Sequence, residues 1–76
     1  MNITNFQRCL RAYNRRSPFQ PFVIEFFSGD RLAVKHPEAI SFRDDVTIYL
    51  SPAGEYRLFD STSVCQLLDP VPAASN

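Results

Sequence analysis

Few side chains in this sequence could act as a nucleophile, a general base or a metal ligand. The 76 residues include one histidine, His36, and two cysteines, Cys9 and Cys65, which lie far apart in the chain. One histidine and two scattered cysteines lack the ligand spacing of a structural zinc site. No Gly-x-Ser-x-Gly or comparable nucleophile motif occurs. The residue types therefore predict neither a metal centre nor nucleophilic catalysis.

Two short polar segments remain as candidates for chemistry. Histidine is the side chain best suited to general-base work near neutral pH, and Glu38 is close enough in sequence to orient His36. Without a paired nucleophile, we interpret His36 as a turn residue. Asp44-Asp45 could contact a cation, but it lacks the other oxygen ligands of a calcium loop and is typical of a solvated turn. We therefore predict a protein that is not an enzyme and that uses no cofactor.

The strongest signal in the composition is an uneven distribution of charge. Residues 1–16 contain four arginines and no acidic residue, whereas residues 17–76 contain four basic and eight acidic residues. The two parts therefore carry charges of +4 and −4, although the chain as a whole is neutral. The four arginines are Arg8, Arg11, Arg15 and Arg16. They could form a solvated helix face, contact an acidic protein surface, or contact nucleic acid.

Residues 1–16 have the pattern of an amphipathic helix. At about 100° per residue, one apolar arc collects five side chains, while Arg8, Arg11 and Arg15 fall on the opposite side. The arc consists of Ile3, Phe6, Cys9, Leu10 and Tyr13. Ser17-Pro18 ends the helix, because the residue before proline is pushed out of the helical region.

After the proline-rich segment 18–21 the apolar period changes from 3.6 to 2. This alternation predicts five short strands, at residues 22–27, 31–35, 46–50, 56–59 and 64–68, with one helical turn before the last. Residues 39–45 could form a further strand or a loop. We expect Val46, Ile48 and Leu50 to face the core. Five short antiparallel strands bury their apolar face best in a small barrel.

The predicted fold is thus mainly β: an N-terminal helix over 1–16 and a five-stranded SH3-like or Sm-like barrel over 22–69. Residues 1–69 form one domain, and residues 70–76 form a flexible tail. Three short segments and a closing apolar strand carry a resemblance: Pro18-Phe19-Gln20-Pro21-Phe22, Gly29-Asp30-Arg31, His36-Pro37-Glu38 and Leu67-Leu68. Over residues 18–69 the chain resembles a group of small uncharacterised bacterial proteins. No activity is known for that group, so the resemblance implies nothing about function.

Sm-like proteins bind single-stranded RNA in rings, and this sequence departs from their RNA-binding motifs. Their first motif has Asp and Asn in the loop before the third strand, where this chain has Arg43-Asp44-Asp45-Val46. Their second motif has Arg or Lys before Gly near the end of the fourth strand, where this chain has Phe59-Asp60-Ser61. Both departures put carboxylates where phosphates would approach. Nucleic-acid binding would therefore depend on the N-terminal arginines.

The aromatic content raises a question of burial. Seven Phe and three Tyr exceed what one small barrel encloses, and the alternation leaves Phe27, Tyr49 and Phe59 facing outward. Either the helix covers these rings, or they form an exposed apolar patch that contacts another chain. We expect partner contacts at Arg8, Arg11, Arg15, Arg16, Phe27, Tyr49 and Phe59.

These features together predict a small interaction or assembly module that binds itself or a protein partner. The alternative is an Sm-like RNA- or DNA-binding ring protein that uses the arginine face. The sequence has no apolar run near the ~20 residues of a membrane span and no signal-peptide pattern. We therefore expect a cytoplasmic protein without a membrane partner, with Cys9 and Cys65 as buried thiols.

Overall fold

A capped amphipathic helix begins the fold. The computed structural model of the chain describes residues 1–69, and helix α1 spans Ile3–Asn14. The side chain of Asn2 caps it, because its Oδ1 accepts the backbone N–H of Thr4 at 2.8 Å and that of Asn5 at 3.3 Å. None of the helices in residues 1–69 is long and apolar enough to cross a membrane.

Six strands follow the helix. They are β1 (Phe22–Phe26), β2 (Arg31–Val34), β3 (Ile40–Arg43), β4 (Val46–Leu50), β5 (Tyr56–Asp60) and β6 (Val64–Leu68). Short 3₁₀ turns at Pro37–Ala39 and Ser61–Ser63 precede β3 and β6. The segment 39–45, which the sequence left open, therefore contains a strand.

The strands form two three-stranded antiparallel sheets, in the orders β2-β1-β6 and β3-β4-β5. The prediction of a mainly β fold with an N-terminal helix is confirmed, but the closed five-stranded barrel is not. The turn at Pro37–Ala39 separates β2 from β3, since proline has no N–H to continue a ladder. The predicted tail, residues 70–76, lies outside the described residues.

The hydrophobic core lies between the two sheets and α1. Of the predicted apolar arc, Phe6 and Leu10 are 1% and 0% exposed and lie in the core, Cys9 and Tyr13 are half-buried, and Ile3 is 37% exposed. The Phe59 ring of β5 packs edge-on against Phe6 and Phe26, at centroid distances of 6.2 and 5.0 Å. Every core side chain of β1 is as predicted, because Phe22, Ile24 and Phe26 are all buried.

The predicted orientation of β4 is wrong. The buried residues of this strand are Thr47 and Tyr49, whereas Leu50 is 39% exposed. Across the β3–β4 ladder, Ile40 pairs with Tyr49 and Phe42 with Thr47. Side chains directly opposite each other lie on the same face of a sheet, and Ile40 is buried. The pairing with β3 therefore turns Thr47 and Tyr49 inward.

Candidate interaction surfaces

The candidate catalytic residues do not assemble into a site. His36 is exposed, and its side chain forms no cap hydrogen bond at the turn that follows it. It lines a cleft of about 170 Å³ together with Glu38, Ala39, Tyr49 and Leu50. Ligand pockets usually measure about 300–1,000 Å³, so this cleft has room for one side chain. Among residues 1–69, no three His, Cys, Asp or Glu side chains are placed to hold a metal ion.

Three of the five large apolar side chains that are exposed within residues 1–69 lie on the solvent side of the sheet β3-β4-β5, which we call the outer face. On it, Ile48 of β4 is opposite Leu58 of β5, and Leu50 is opposite Tyr56. Tyr56 and Leu58 are 69% and 62% exposed. Side chains of a strand alternate between faces, so Val46 joins this set. The outer face thus consists of Val46, Ile48, Leu50, Tyr56 and Leu58.

Two of the predicted outward aromatics are not on the surface. Tyr49 is 9% exposed, and its hydroxyl donates a hydrogen bond to the Ala33 carbonyl of β2 at 3.2 Å. Phe59 is half-buried and packs against the core. The expectation that Tyr49 and Phe59 face outward is therefore wrong, and both rings connect the two sheets instead. Since they point inward, the alternating neighbours of Tyr49 and Phe59 point outward.

Phe27 is as exposed as predicted, with 69% of its surface accessible. It follows β1 at the turn that leads to β2, where Gly29 has a φ of 94° and donates its N–H to the Phe26 carbonyl. The ring lies on the other sheet from the outer face. Phe27 is thus a single exposed apolar side chain, of the kind that occurs on most protein surfaces.

The solvent side of the sheet β2-β1-β6 has an apolar row, formed by Val23, Ala33 and Leu68, and beside it a polar row. Glu25 of β1 is opposite Arg31 of β2 and Gln66 of β6. Its carboxylate accepts a hydrogen bond from Gln66 Nε2 at 2.8 Å and forms an ion pair with Arg31 at 3.0 Å. The bond from Gln66, and then that from Arg31, lowers the pKa of Glu25 below its ordinary value. This polar row extends across all three strands.

Three of the predicted arginines form an exposed face on α1. Arg8, Arg11 and Arg15 are all exposed, and the helix has no acidic residue in its first turn. The ion pairs within residues 1–69 involve Arg16, Arg31 and Arg57, and none of them includes these three arginines. Arg11 lies 5.7 Å above the centroid of the Phe42 ring. We call Arg8, Arg11 and Arg15 the arginine face.

Arg16 is separate from this face. Its guanidinium forms an ion pair with Asp69 at 2.8 Å, donates to the Gln20 carbonyl at 3.0 Å and lies 4.7 Å above the Tyr13 ring. These contacts join the end of α1 to the segment before β1 and to the end of β6. Arg16 therefore has a structural role here, unlike the three arginines that precede it.

The acidic side chain of Asp60 lies in the same cross-strand row as Val46 of the outer face. Asp60, at the end of β5, caps the turn Ser61–Ser63 by accepting the Thr62 N–H at 3.1 Å. The hydrogen bond from the Thr62 side chain is the main cause that lowers the pKa of Asp60. Asp60 is thus an anion on the same strand face as Tyr56 and Leu58.

The two cysteines have different environments. Both are free thiols, and Cys9 is half-buried whereas Cys65 is exposed. The expectation of two buried thiols is therefore wrong for Cys65. Its strand β6 is at the edge of its sheet, and alternation points Cys65 away from the neighbouring core residue Val64.

Comparison of the chain with protein-family models, with curated proteins and with solved structures finds no match among any of them.

Sequence reasoning missed the residues of the outer face. The segment Val46–Leu50 has apolar side chains at both its even-numbered and its odd-numbered positions. Alternation alone therefore could not show which side of the strand faces the core. The sequence of β5 did contain a signal for an exposed apolar face, because Tyr56 and Leu58 lie on one side of the strand and Phe59 lies on the other. A strand with apolar residues on both faces either lies inside the protein or exposes one face to a partner.

Proposed function

We propose that this protein is a non-enzymatic interaction module that binds itself or another protein through the outer face. The observation that supports this proposal is the exposure of Tyr56 and Leu58 beside Leu50 on one side of a single sheet. Contiguous apolar patches of this kind mark contacts with other chains more often than isolated apolar residues do. Burying them on a partner also stabilises a domain of only 76 residues.

We propose further that the two sheets are the halves of a small SH3-like or Sm-like barrel. In support, β2 and β3 are consecutive strands joined by the five residues 35–39, which include the three-residue 3₁₀ turn. Counting β2 and β3 as one bent strand gives the order β6-β1-β2/β3-β4-β5. The 3₁₀ turn before the last strand and the leading helix belong to the same pattern. A high-resolution experimental structure that measures the gap between β5 and β6 tests this assignment.

The arginine face gives the module a second means of recognition. Three exposed cations with no ion-pair partner in residues 1–69 attract an acidic surface and steer its approach. Charge of this kind raises the association rate more than it raises affinity. In this proposal the outer face supplies the binding energy and the arginine face supplies orientation.

The experiment that tests the proposed function combines sedimentation with affinity capture from a lysate of the native organism. Three C-terminally tagged forms are compared: wild type, Tyr56→Lys/Leu58→Lys and the control Phe27→Lys. Phe27 and Tyr56 have equal exposure, so the control adds charge at an apolar surface site outside the outer face. We expect wild type and Phe27→Lys to bind themselves or a protein, and the double variant to lose that binding.

Parallel captures with and without nuclease separate protein from nucleic-acid partners. Binding that survives nuclease treatment and depends on the outer face supports the proposal. A wild-type protein that remains monomeric and captures nothing contradicts it.

The second candidate function is binding to RNA or DNA, and the unpaired arginine face is the observation that favours it. We expect such binding to weaken steeply with salt and to disappear in Arg8→Glu/Arg11→Glu/Arg15→Glu, whereas Lys35→Glu retains it. A fluorescence-anisotropy titration with labelled single-stranded oligonucleotides at low salt measures this. Absence of binding at low salt would remove the candidate.

We propose a cytoplasmic location. Cys65 is an exposed free thiol, and reducing compartments keep such thiols from forming disulfides. Fractionation of the native host with an antibody against the protein tests this.

A further inference from the structure

We infer that the occupant of the outer face is a second copy of this chain, packed face to face about a two-fold axis parallel to β4. This inference rests on the proposed function and specifies the partner. Three features support it. In such a dimer, Arg43 of one copy faces Asp60 of the other, the apolar residues of β4 face their own copy, and the cleft beside the outer face receives Tyr56.

The charges lie in one row across the sheet. Arg43 of β3 is opposite Val46 of β4, and Val46 is opposite Asp60 of β5. Neighbouring strands are about 4.8 Å apart, so the Arg43 and Asp60 backbones are about 10 Å apart on the two sides of Val46. Neither side chain has an ion-pair partner within residues 1–69. A single copy therefore presents a cation and an anion at matching positions on either side of its central strand.

A two-fold axis parallel to β4 places β3 of one copy over β5 of the other, without shifting either copy along the strand direction. Arg43 then faces Asp60 of the second copy, and the symmetry produces the pair twice. Asp60 uses its Oδ1 to cap the turn at Thr62, which leaves its other oxygen for the guanidinium.

The centre of the interface is apolar. In this arrangement β4 packs on its own copy, so Ile48 and Leu50 each face the same residue of the second copy. Two packed sheets lie about 10 Å apart with interdigitated side chains. An apolar centre with a charged rim is the usual anatomy of an interface between proteins.

The cleft beside His36 receives an aromatic side chain in this dimer. Ile40 pairs with Tyr49, so the next position along the ladder brings Ala39 beside Leu50, and both residues line the cleft. The two-fold axis carries Tyr56 of the second copy over this position. A cavity of about 150 Å³ holds one benzene ring, and this cleft measures about 170 Å³. Tyr56 is thus the aromatic anchor of the interface.

The size of the outer face predicts a weak dimer. A surface three strands wide and five residues long measures about 15 by 17 Å, below the ~800 Å² per partner of a standard interface. We therefore expect a Kd of about 10 µM to 1 mM. Concentrations of this order are needed for the test.

The first arm of the test is sedimentation equilibrium of the full chain at about 10 µM to 1 mM. We expect the average mass of wild type and Phe27→Lys to rise towards twice the 8.7 kDa of one chain, and that of Leu58→Lys to stay at one chain. Tyr56→Phe retains association, because the ring remains, whereas Tyr56→Ala weakens it at least about tenfold. Circular dichroism confirms that each variant is folded.

The second arm is a charge cycle with Arg43→Glu and Asp60→Asn. Asparagine retains the cap at Thr62, so Asp60→Asn leaves the fold intact. We expect Asp60→Asn to weaken the wild-type dimer about threefold and to strengthen the Arg43→Glu dimer by a similar factor, because it removes two carboxylate repulsions. If Asp60→Asn changes the Kd of the dimer in the same direction in wild type and in Arg43→Glu, the inference is wrong.

The remaining outcomes separate this inference from the proposed function. A closed ring larger than a dimer, or a dimer in which the edge amides of β5 gain protection from hydrogen exchange, overturns the face-to-face arrangement. A chain that stays monomeric but captures another protein through Tyr56 and Leu58 overturns the inference and leaves the proposed function standing. A monomer that captures nothing overturns both.

Discussion

The two sheets of this protein have different residues on their solvent sides. On the sheet β2-β1-β6, Glu25 joins Arg31 and Gln66 in a polar row across all three strands. On the sheet β3-β4-β5, the corresponding rows pair Ile48 with Leu58 and Leu50 with Tyr56. An antiparallel sheet with one solvated side ordinarily has polar residues there. The solvent side of the first sheet therefore has one polar row beside the apolar row of Val23, Ala33 and Leu68, whereas these two rows of the second sheet are both apolar.

The exposed apolar side chains of the outer face result from the orientation of β4 and β5 and not from an excess of aromatic residues. The rings that seemed too numerous for the interior, Tyr49 and Phe59, are inside. Aliphatic residues and Tyr56 are outside in their place. Binding candidates in a small β-rich chain therefore have to be chosen by face, since counting rings does not identify them.

The largest expected effect is a difference in the free energy of unfolding between substitutions on the two sides of β5. Phe59→Ala removes a ring that packs against Phe6 and Phe26. We expect the free energy of unfolding to fall by about 2–3 kcal/mol, somewhat less than for a fully buried Phe. Leu58→Ala, one position away on the outer face, should change it by no more than about 0.5 kcal/mol. Urea denaturation followed by circular dichroism measures both, and equal losses would contradict the assigned faces.

A smaller effect is expected from the contact that joins the sheets. Tyr49→Phe removes the hydroxyl that donates to the Ala33 carbonyl and should lower the free energy of unfolding by about 1 kcal/mol. The exposed Tyr56→Phe is the matched control and should leave stability unchanged. If Tyr49→Phe leaves the free energy of unfolding as unchanged as Tyr56→Phe does, the hydroxyl does not connect β4 to β2.

The smallest effect tests the polar row through pH. The pKa of Glu25 is lowered from its ordinary value of 4.5, so its stabilising contribution is complete above pH 4.5 and is lost as the pH falls through the lower folded value. Glu25→Gln should therefore reduce the thermal midpoint slightly at pH 7. The difference from wild type should disappear in acid.

Thermal melts between pH 7 and pH 2.5, with Glu38→Gln as the control, check this prediction. Glu38 forms no ion pair within residues 1–69. A difference that persists unchanged at the lowest pH would mean that the charge of Glu25 contributes nothing.

Local patterns predicted the elements of this fold well. The 3.6-residue arc predicted that α1 would bury Phe6 and Leu10, and alternation predicted the buried face of β1. The gap between the predicted strands 22–27 and 31–35 is a turn in the structure, and Gly29 within it has a φ of 94°, which suits glycine. Each of these depends on neighbouring residues alone, as does the exposure of Arg8, Arg11 and Arg15 on the helix side opposite the apolar arc.

The sequence by itself determined where the helix and five of the six strands lie and that the basic charge collects on one helix face. Only the tertiary structure decided which side of β4 and β5 meets the core. Val46–Leu50 has apolar residues at both parities, so its orientation depended on which partner it paired with. Pairing with β3 turned Tyr49 inward. Its neighbours Ile48 and Leu50 therefore point outward, because shifting a strand by one residue exchanges its two faces.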